Sequence, residues 1–199
     1  MSRQSDIDFE AFSFAEVVKL PPQYHVFDLT SGAMDMPPNF TYGVGKYNEH
    51  RPDIYSSPLF AGERDYHIGI DIFAPQHTEI HNFYDGVVYQ RAYNGEALDY
   101  GYTLVLKYEL NNTPLYALFG HLSKASYHNN PPGKIVAKGE QFAWMGPPEE
   151  NGGWPAHLHL QLCYECPSRC DMPGVVNKAD LEAALRLYPD PQKVLGKLY

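Results

Sequence analysis

Between Tyr66 and Cys163 the chain is cut into short β-type runs by turn residues. The runs are His67 to Phe73, Gly86 to Tyr93, Tyr102 to Glu109, Leu115 to His121, Gly139 to Met145 and His157 to Leu162. Their regular spacing predicts an antiparallel sheet system, either a sandwich or a barrel. Asn111-Asn112 falls between two runs and predicts a hairpin turn, because asparagine tolerates left-handed backbone. Composition agrees: 16 Gly and 17 Pro favour turns, and 16 Tyr and 10 Phe suit pleated, half-buried surfaces.

The flanks read differently. Phe9, Phe12, Val17 and Leu20 recur near helical spacing, predicting a short amphipathic helix over Asp6 to Leu20 that ends at Pro21-Pro22. From His25 to about Glu63 the pattern is strand pieces and loops. Beyond Cys163 a Pro-containing loop leads to a helix of about ten residues over Asn177 to Leu187. Asn177 is its cap, Leu181, Ala184, Leu185 and Tyr188 are its apolar stripe, and Pro189 and Pro191 stop it. The expected organisation is one mainly β domain over 1–199, an antiparallel barrel-sandwich with short terminal helices. Residues 1–62 form an extension packed on the core, 63–163 the β core, and 164–199 a loop and helix.

Fifteen basic against 24 acidic residues leave a net charge of −9, which repels phosphate backbones and anionic lipid surfaces. Neither nucleic acid nor membrane is an expected partner. No stretch approaches the roughly 20 apolar residues of a membrane span. Met1 to Glu10 carries three acids and no apolar run, unlike a secretory signal. The three cysteines, Cys163, Cys166 and Cys170, are an odd number, which predicts reduced thiols in a cytoplasmic protein.

Four histidines and one aspartate stand out, in His67-Ile-Gly-Ile-Asp71, Phe119-Gly-His121-Leu-Ser123 and His157-Leu-His159-Leu-Gln161. Imidazole and carboxylate suit zinc, which prefers four tetrahedral positions. Alternate strand residues share a face, so His157 and His159 project together, about 6.6 Å apart. His67 and Asp71 would lie roughly 13 Å apart on an extended strand, too far for one ion. The segment must bend, and Gly69 at its midpoint makes a bend or bulge cheap. Three ligands plus water is the open, catalytic arrangement, which leaves two imidazoles to act on substrate or water. Zinc lowers the pKa of bound water to about 7, and a neighbouring imidazole can move protons at that pH. Spacing does not decide which of His157 and His159 binds the metal.

These motifs resemble the lysostaphin/LytM-type zinc metallopeptidases. The flanks Ile70-Asp-Ile-Phe-Ala-Pro75, Asp85-Gly-Val-Val88, Tyr102-Thr-Leu-Val-Leu106 and Gly133-Lys-Ile-Val-Ala-Lys-Gly139 follow the same family order. The resemblance covers about Tyr66 to Leu162, half the chain. It implies one Zn2+ per chain held by His67, Asp71 and His159. It implies that His121 and His157 are the non-ligand pair that orients or deprotonates water and stabilises the developing oxyanion. It also implies hydrolysis of a peptide or amide bond by metal-activated water.

Ala97-Leu-Asp-Tyr-Gly101, Pro148-Glu-Glu-Asn-Gly-Gly-Trp-Pro155 and Tyr188-Pro-Asp-Pro191 resemble the peptidase-like domain of intracellular fusions. Those fusions carry a kinase-like phosphotransferase and a class III aminotransferase, which implies a functional link to such enzymes. Two departures from the wall-degrading members make peptidoglycan a doubtful substrate: Gly-Trp-Pro-Ala156 before His-x-His where they carry Ser-Thr-Gly-Pro, and Gln161 where they carry Glu. A non-catalytic peptide-binding or regulatory module, and a hydrolase of a small cytoplasmic amino metabolite, are the alternatives.

Other candidates carry weaker signals. Trp154 is expected either to wall the substrate groove or simply to pack, and Arg51 either to anchor a substrate carboxylate or to form a surface salt bridge. His77 and His81 read as turn residues after Asp71, with His77 where the family often has Gly. His25, His50 and His128 read as loop or surface residues. Cys163, Cys166 and Cys170 read as a loop with small apolar thiols, in preference to three-quarters of a thiolate zinc site. Glu149-Glu150 reads as a solvated turn.

Overall fold

The computed structural model describes residues 7–32, 34–55 and 64–199. The expectations for the first six residues and for residues up to Glu63 lie in part outside them. Thirteen strands are described, in chain order. They are β1 His25–Val26, β2 Gly43–Gly45, β3 Glu49–His50, β4 Tyr66–His67, β5 Ile70–Phe73, β6 Glu79–His81 and β7 Gly86–Asn94. They continue as β8 Gly101–Leu110, β9 Thr113–Leu122, β10 Ile135–Val136, β11 Gln141–Trp144, β12 His157–Cys163 and β13 Val175–Val176. The α-helices are α1 Lys124–Asn129, α2 Leu181–Leu187 and α3 Gln192–Leu195.

Eight strands form the main sheet in the order β1-β2-β5-β12-β9-β8-β7-β10, and β1 and β10 remain its two ends among the described residues. The architecture is therefore mainly β, with an open main sheet rather than a closed barrel. Pairing is antiparallel throughout except between β1 and β2. The β8–β9 turn is the predicted Asn111-Asn112, with φ of 49° and 60°, the left-handed pair a tight hairpin needs.

Strand periodicity sorts the two faces. Leu104 and Leu106 of β8 point into the larger core with Phe119, while Val105 points into a second cluster with Tyr100, Leu118 and Met172. In β12, Leu158, Leu160 and Leu162 enter the larger core, which leaves His157, His159 and Gln161 on the opposite face. The larger core also takes Ile7, Phe9, Val17 and Val18 from the N-terminal segment and Val194 from α3. Parts of both flanks thus pack on the face opposite the histidines, while Met172, Leu187 and Tyr188 pack on the histidine side.

The flanking helices differ from expectation. Only a single 3-10 turn, Phe9–Ala11, forms where a helix over Asp6 to Leu20 was expected. Phe12 is already extended, and Phe12 and Phe14 pack edge-on against Tyr84 and Phe83. Packing of individual aromatic rings overrides the weak helical period. The C-terminal helix is shorter than expected. Asn177 Oδ1 accepts from Asp180 N at 2.9 Å in a preceding turn, and the helix runs over Leu181–Leu187. Ala184, Leu181, Leu185 and Tyr188 pack together as the stripe implied.

Candidate metal centre

Gly69 breaks what would be one strand. β4 pairs with β3 and β13, β5 turns into the main sheet, and the chain changes direction between them. The glycine is required: a Cβ there would lie 2.5 Å from His159 Cε1 and 3.0 Å from the Leu160 carbonyl oxygen. The bend brings the two ends of His67-x-Gly-x-Asp71 together. β12 lies beside β5 with His159 opposite Asp71.

Three donor atoms converge: His67 Nε2, Asp71 Oδ1 and His159 Nδ1. They are separated by 3.2 Å (His67–Asp71), 2.9 Å (His159–Asp71) and 3.2 Å (His67–His159). Ligands about 2.0–2.1 Å from a tetrahedral zinc would be about 3.3–3.4 Å apart, close to this triangle. The outer nitrogens say which lone pairs face inward. His67 Nδ1 lies 2.9 Å from the Lys46 carbonyl, which can only accept, so that nitrogen carries the proton. His159 Nε2 lies 3.2 Å from Gln161 Oε1, and Gln161 Nε2 in turn donates to the Pro173 carbonyl at 3.4 Å. Two imidazole lone pairs and a carboxylate oxygen therefore face one another in a buried space, an arrangement that calls for a cation. Among the described residues, these three are the one His/Cys/Asp/Glu group whose donors converge in this way.

His121 and His157 lie beside the triangle with ring centroids 4.1 Å apart. Both outer nitrogens donate to loop carbonyls: His121 Nδ1 to Asn151 O at 2.8 Å and His157 Nδ1 to Pro155 O at 2.7 Å. Each therefore keeps an Nε2 lone pair, and His157 Nε2 lies 3.9 Å from Asp71 Oδ1. His121 itself has φ of 61°, and its N–H donates to Tyr100 O at 2.8 Å. Tyr100 packs between His121 and His159 and donates its hydroxyl to Met172 O at 3.0 Å.

Burial sets the protonation states. His67 is pushed down to about 4, first by desolvation and then by the Arg51 charge. Desolvation also holds His121 well below the usual imidazole range, reinforced by His157 and His159, and it lowers His157 too. Desolvation alone would raise the Asp71 carboxyl. The neighbouring imidazoles and the Arg51 guanidinium outweigh it and keep the group well below the ordinary carboxylate range. These are the deprotonated states that metal ligands and general bases need.

A cavity of about 530 Å³ opens onto all five residues, with Tyr100 and Trp154 also in its wall. Trp154 is half-buried, 6.4 Å in ring centroid from both His121 and His157, and its Nε1 is buried with no partner among the described residues. Arg51 also reaches this cavity, but it is 1% exposed and its donors are engaged by protein. They go to Asp71 Oδ2 at 2.8 Å, Glu49 Oε2 at 2.9 Å, the Tyr55 hydroxyl at 3.0 Å and Lys46 O at 3.3 Å. It is a buried, protein-bonded guanidinium at the cavity and not a surface salt bridge.

The remaining candidates fall elsewhere. His77 has φ of 63°, as its glycine-like slot implied. His81 is a buried residue of β6 rather than a turn residue. His50 is exposed and bonds Asp65 at 2.8 Å. Cys163, Cys166 and Cys170 are free thiols, and burial raises Cys163 to about 11 and Cys170 to about 12. The acceptors Lys46 O, Asn151 O and Pro155 O were invisible in the sequence, since every residue type carries a carbonyl. Asn151 alone left a trace, as a polar residue within a Gly/Pro loop.

The profile of Peptidase family M23 matches residues 65–169, just over half of the chain. Among solved structures, the chain is similar to a zinc containing peptidase from Vibrio cholerae, at 24% identity over 57% of this chain and 31% of that one, with a TM-score of 0.41. It therefore spans just under a third of that peptidase's length. It is similar to the catalytic domain of the antimicrobial peptidase lysostaphin from Staphylococcus simulans, at 19% identity over 72% and 92% of the two chains, with a TM-score of 0.49. It is also similar to a mutant catalytic domain of the prophage-encoded M23 protein EnpA from Enterococcus faecalis, at 22% identity over 66% and 84%, with a TM-score of 0.43. No curated protein matches the chain. The matched segment contains every residue of the donor triangle and both neighbouring imidazoles, and the chain belongs to peptidase family M23.

Proposed function

We propose that the chain is a zinc-dependent hydrolase of peptide or amide bonds, with His67, Asp71 and His159 holding one zinc ion. The observation that carries this reading is the donor triangle, with inward lone pairs 2.9–3.2 Å apart and both outer imidazole nitrogens already bonded. Bound zinc supplies a Lewis acid that acidifies water and polarises a carbonyl. His121 and His157 do the proton work. Each is neutral, and its Nε2 faces the cavity side of the triangle because Nδ1 is fixed on a loop carbonyl. One accepts the proton of the attacking water at Nε2 and, as the imidazolium so formed, returns it to the leaving amine, while the other accepts a hydrogen bond from the water and orients it. Trp154 walls the substrate side, with its Nε1–H buried and without a partner among the described residues.

We read residues 1–62 as an extension on the 63–163 core, with 164–199 completing it. A cytoplasmic location follows from the odd cysteine count and the acidic N-terminal segment, and a functional link to an aminotransferase or a phosphotransferase from the fusion-domain resemblance alone. No helix among the described residues is long and apolar enough to cross a membrane. Elemental analysis and a peptide panel test the reading. One zinc per chain, and hydrolysis that disappears in His121→Ala, is the expected result. Zinc-replete protein that binds peptides tightly without cutting any would instead support a binding module.

A further inference from the structure

The family match begins at residue 65, yet two of the contacts that shape the donor triangle come from before it. Lys46 O fixes the His67 tautomer, and Arg51 engages Asp71. We propose that Arg51 is a positioning residue of the metal centre. Its guanidinium holds Asp71 Oδ2, so that Asp71 offers a single oxygen to the ion and leaves one coordination position open. The proposal rests on the zinc reading above and concerns this chain's N-terminal segment rather than the matched motif.

The geometry divides the carboxylate between the imidazole pair and the guanidinium. Oδ1 faces His67 Nε2 and His159 Nδ1 at 3.2 and 2.9 Å, and Oδ2 faces Arg51 Nη1 at 2.8 Å. A carboxylate with both oxygens unengaged can chelate an ion and fill a further position, and the guanidinium prevents that. A buried guanidinium is expensive unless its charge and donors are met. Glu49 Oε2, Tyr55 and Lys46 O meet three of the four N–H donors that Asp71 does not use, and Glu49 Oε1 is itself fixed by Leu29 N at 3.1 Å. The strand beside Asp71 makes room for this. Gly45 pairs with Asp71 in the β2–β5 register, and a Cβ on Gly45 would lie 2.8 Å from Arg51 Nη2 and 3.3 Å from Asp71 Oδ2.

The test uses the full chain and compares wild type with Arg51→Met, Arg51→Lys, the double variant Glu49→Gln/Arg51→Met and Gly45→Ala. The double variant removes both charges of the Glu49–Arg51 pair, so it guards against simple misfolding. Gly45→Ala keeps every charge and crowds the guanidinium instead. Zinc affinity is read by chelator competition, and coordination by the visible spectrum of the cobalt(II)-substituted protein. Arg51→Met and the double variant are expected to bind zinc about 10–100-fold more weakly. Their cobalt spectra are expected to shift from intense four-coordinate bands to weaker ones of higher coordination number. Gly45→Ala should show the same shift in smaller degree. Arg51→Lys should restore part of the affinity but not the spectrum, since a point charge lacks the planar fork. A double variant that binds zinc as tightly as wild type, with an unchanged cobalt spectrum, overturns the proposal and leaves the zinc reading intact. Wild-type protein that takes up no zinc overturns both.

Discussion

The donor triangle and the His121–His157 pair are built from the same chemistry and held in different ways. All five side chains are at most 5% exposed. The triangle is gripped from outside by a guanidinium, an amide side chain and one carbonyl, on strands whose register fixes the spacing. The pair hangs from two carbonyls in one Gly/Pro-rich loop, Asn151 O and Pro155 O. Charged and strand-borne partners suit atoms that must hold an ion rigidly. Loop carbonyls fix a tautomer while leaving the ring edge free to exchange a proton.

The largest expected effects separate the two groups. Asp71→Ala or His159→Ala should abolish zinc retention, measured as metal per chain after desalting. His121→Ala should keep the zinc and lower hydrolysis about 10²–10⁴-fold, the usual contribution of a general acid or base. Zinc lost from His121→Ala to the same degree would erase the distinction between the groups. Gly69→Ala should act like a ligand mutation although it changes no ligand, because its Cβ would displace His159 from 2.5 Å away. Its predicted signature is weakened zinc binding together with a lowered melting temperature.

Acid should act on both groups at once. In the unfolded chain an imidazole takes its proton near pH 6.5, whereas buried His67 resists protonation until about 4. Lowering the pH therefore favours the unfolded chain, and His121 and His157 add in the same direction. Chelator-treated protein should hold constant stability above about pH 6.5 and lose it progressively toward about 4, with up to about 3 kcal/mol from His67 alone. A flat denaturation midpoint from pH 7 to 4.5 would contradict the buried, neutral assignment.

Smaller effects probe the loop. Asn151→Ala removes side-chain bonds to Gly146 O and Trp154 O at 3.1 and 3.0 Å and from Gly153 N and Trp154 N at 3.2 and 3.0 Å. It should cost about 1–3 kcal/mol in denaturant titration and reduce turnover while zinc binding holds. Trp154→Phe removes the indole N–H and part of the ring area that walls the cavity and should raise KM a few-fold with little change in kcat.

What the sequence made legible was whatever depends on side-chain identity at fixed spacing. The hairpin at Asn111-Asn112, the break at Gly69 and the sharing of a face by His157 and His159 are all consequences of period and backbone freedom. The choice of His159 over His157 as the third donor came from family resemblance, and spacing could not have supplied it. Arg51 was visible as a charge but its partner was not. The Asp71 contact depends on β2 lying against β5, a long-range pairing with no local signal. The N-terminal helix does not form because Phe9, Phe12 and Phe14 gather on one another and on Phe83 and Tyr84 instead of sharing one helical stripe.

Crystals of zinc-loaded protein, measured at the zinc absorption edge, give the most direct test. A single anomalous peak about 2.0–2.2 Å from His67 Nε2, Asp71 Oδ1 and His159 Nδ1, with one further position open, is the expected outcome. A peak at Cys163, Cys166 and Cys170, or no peak between the two imidazoles and the carboxylate, would contradict it.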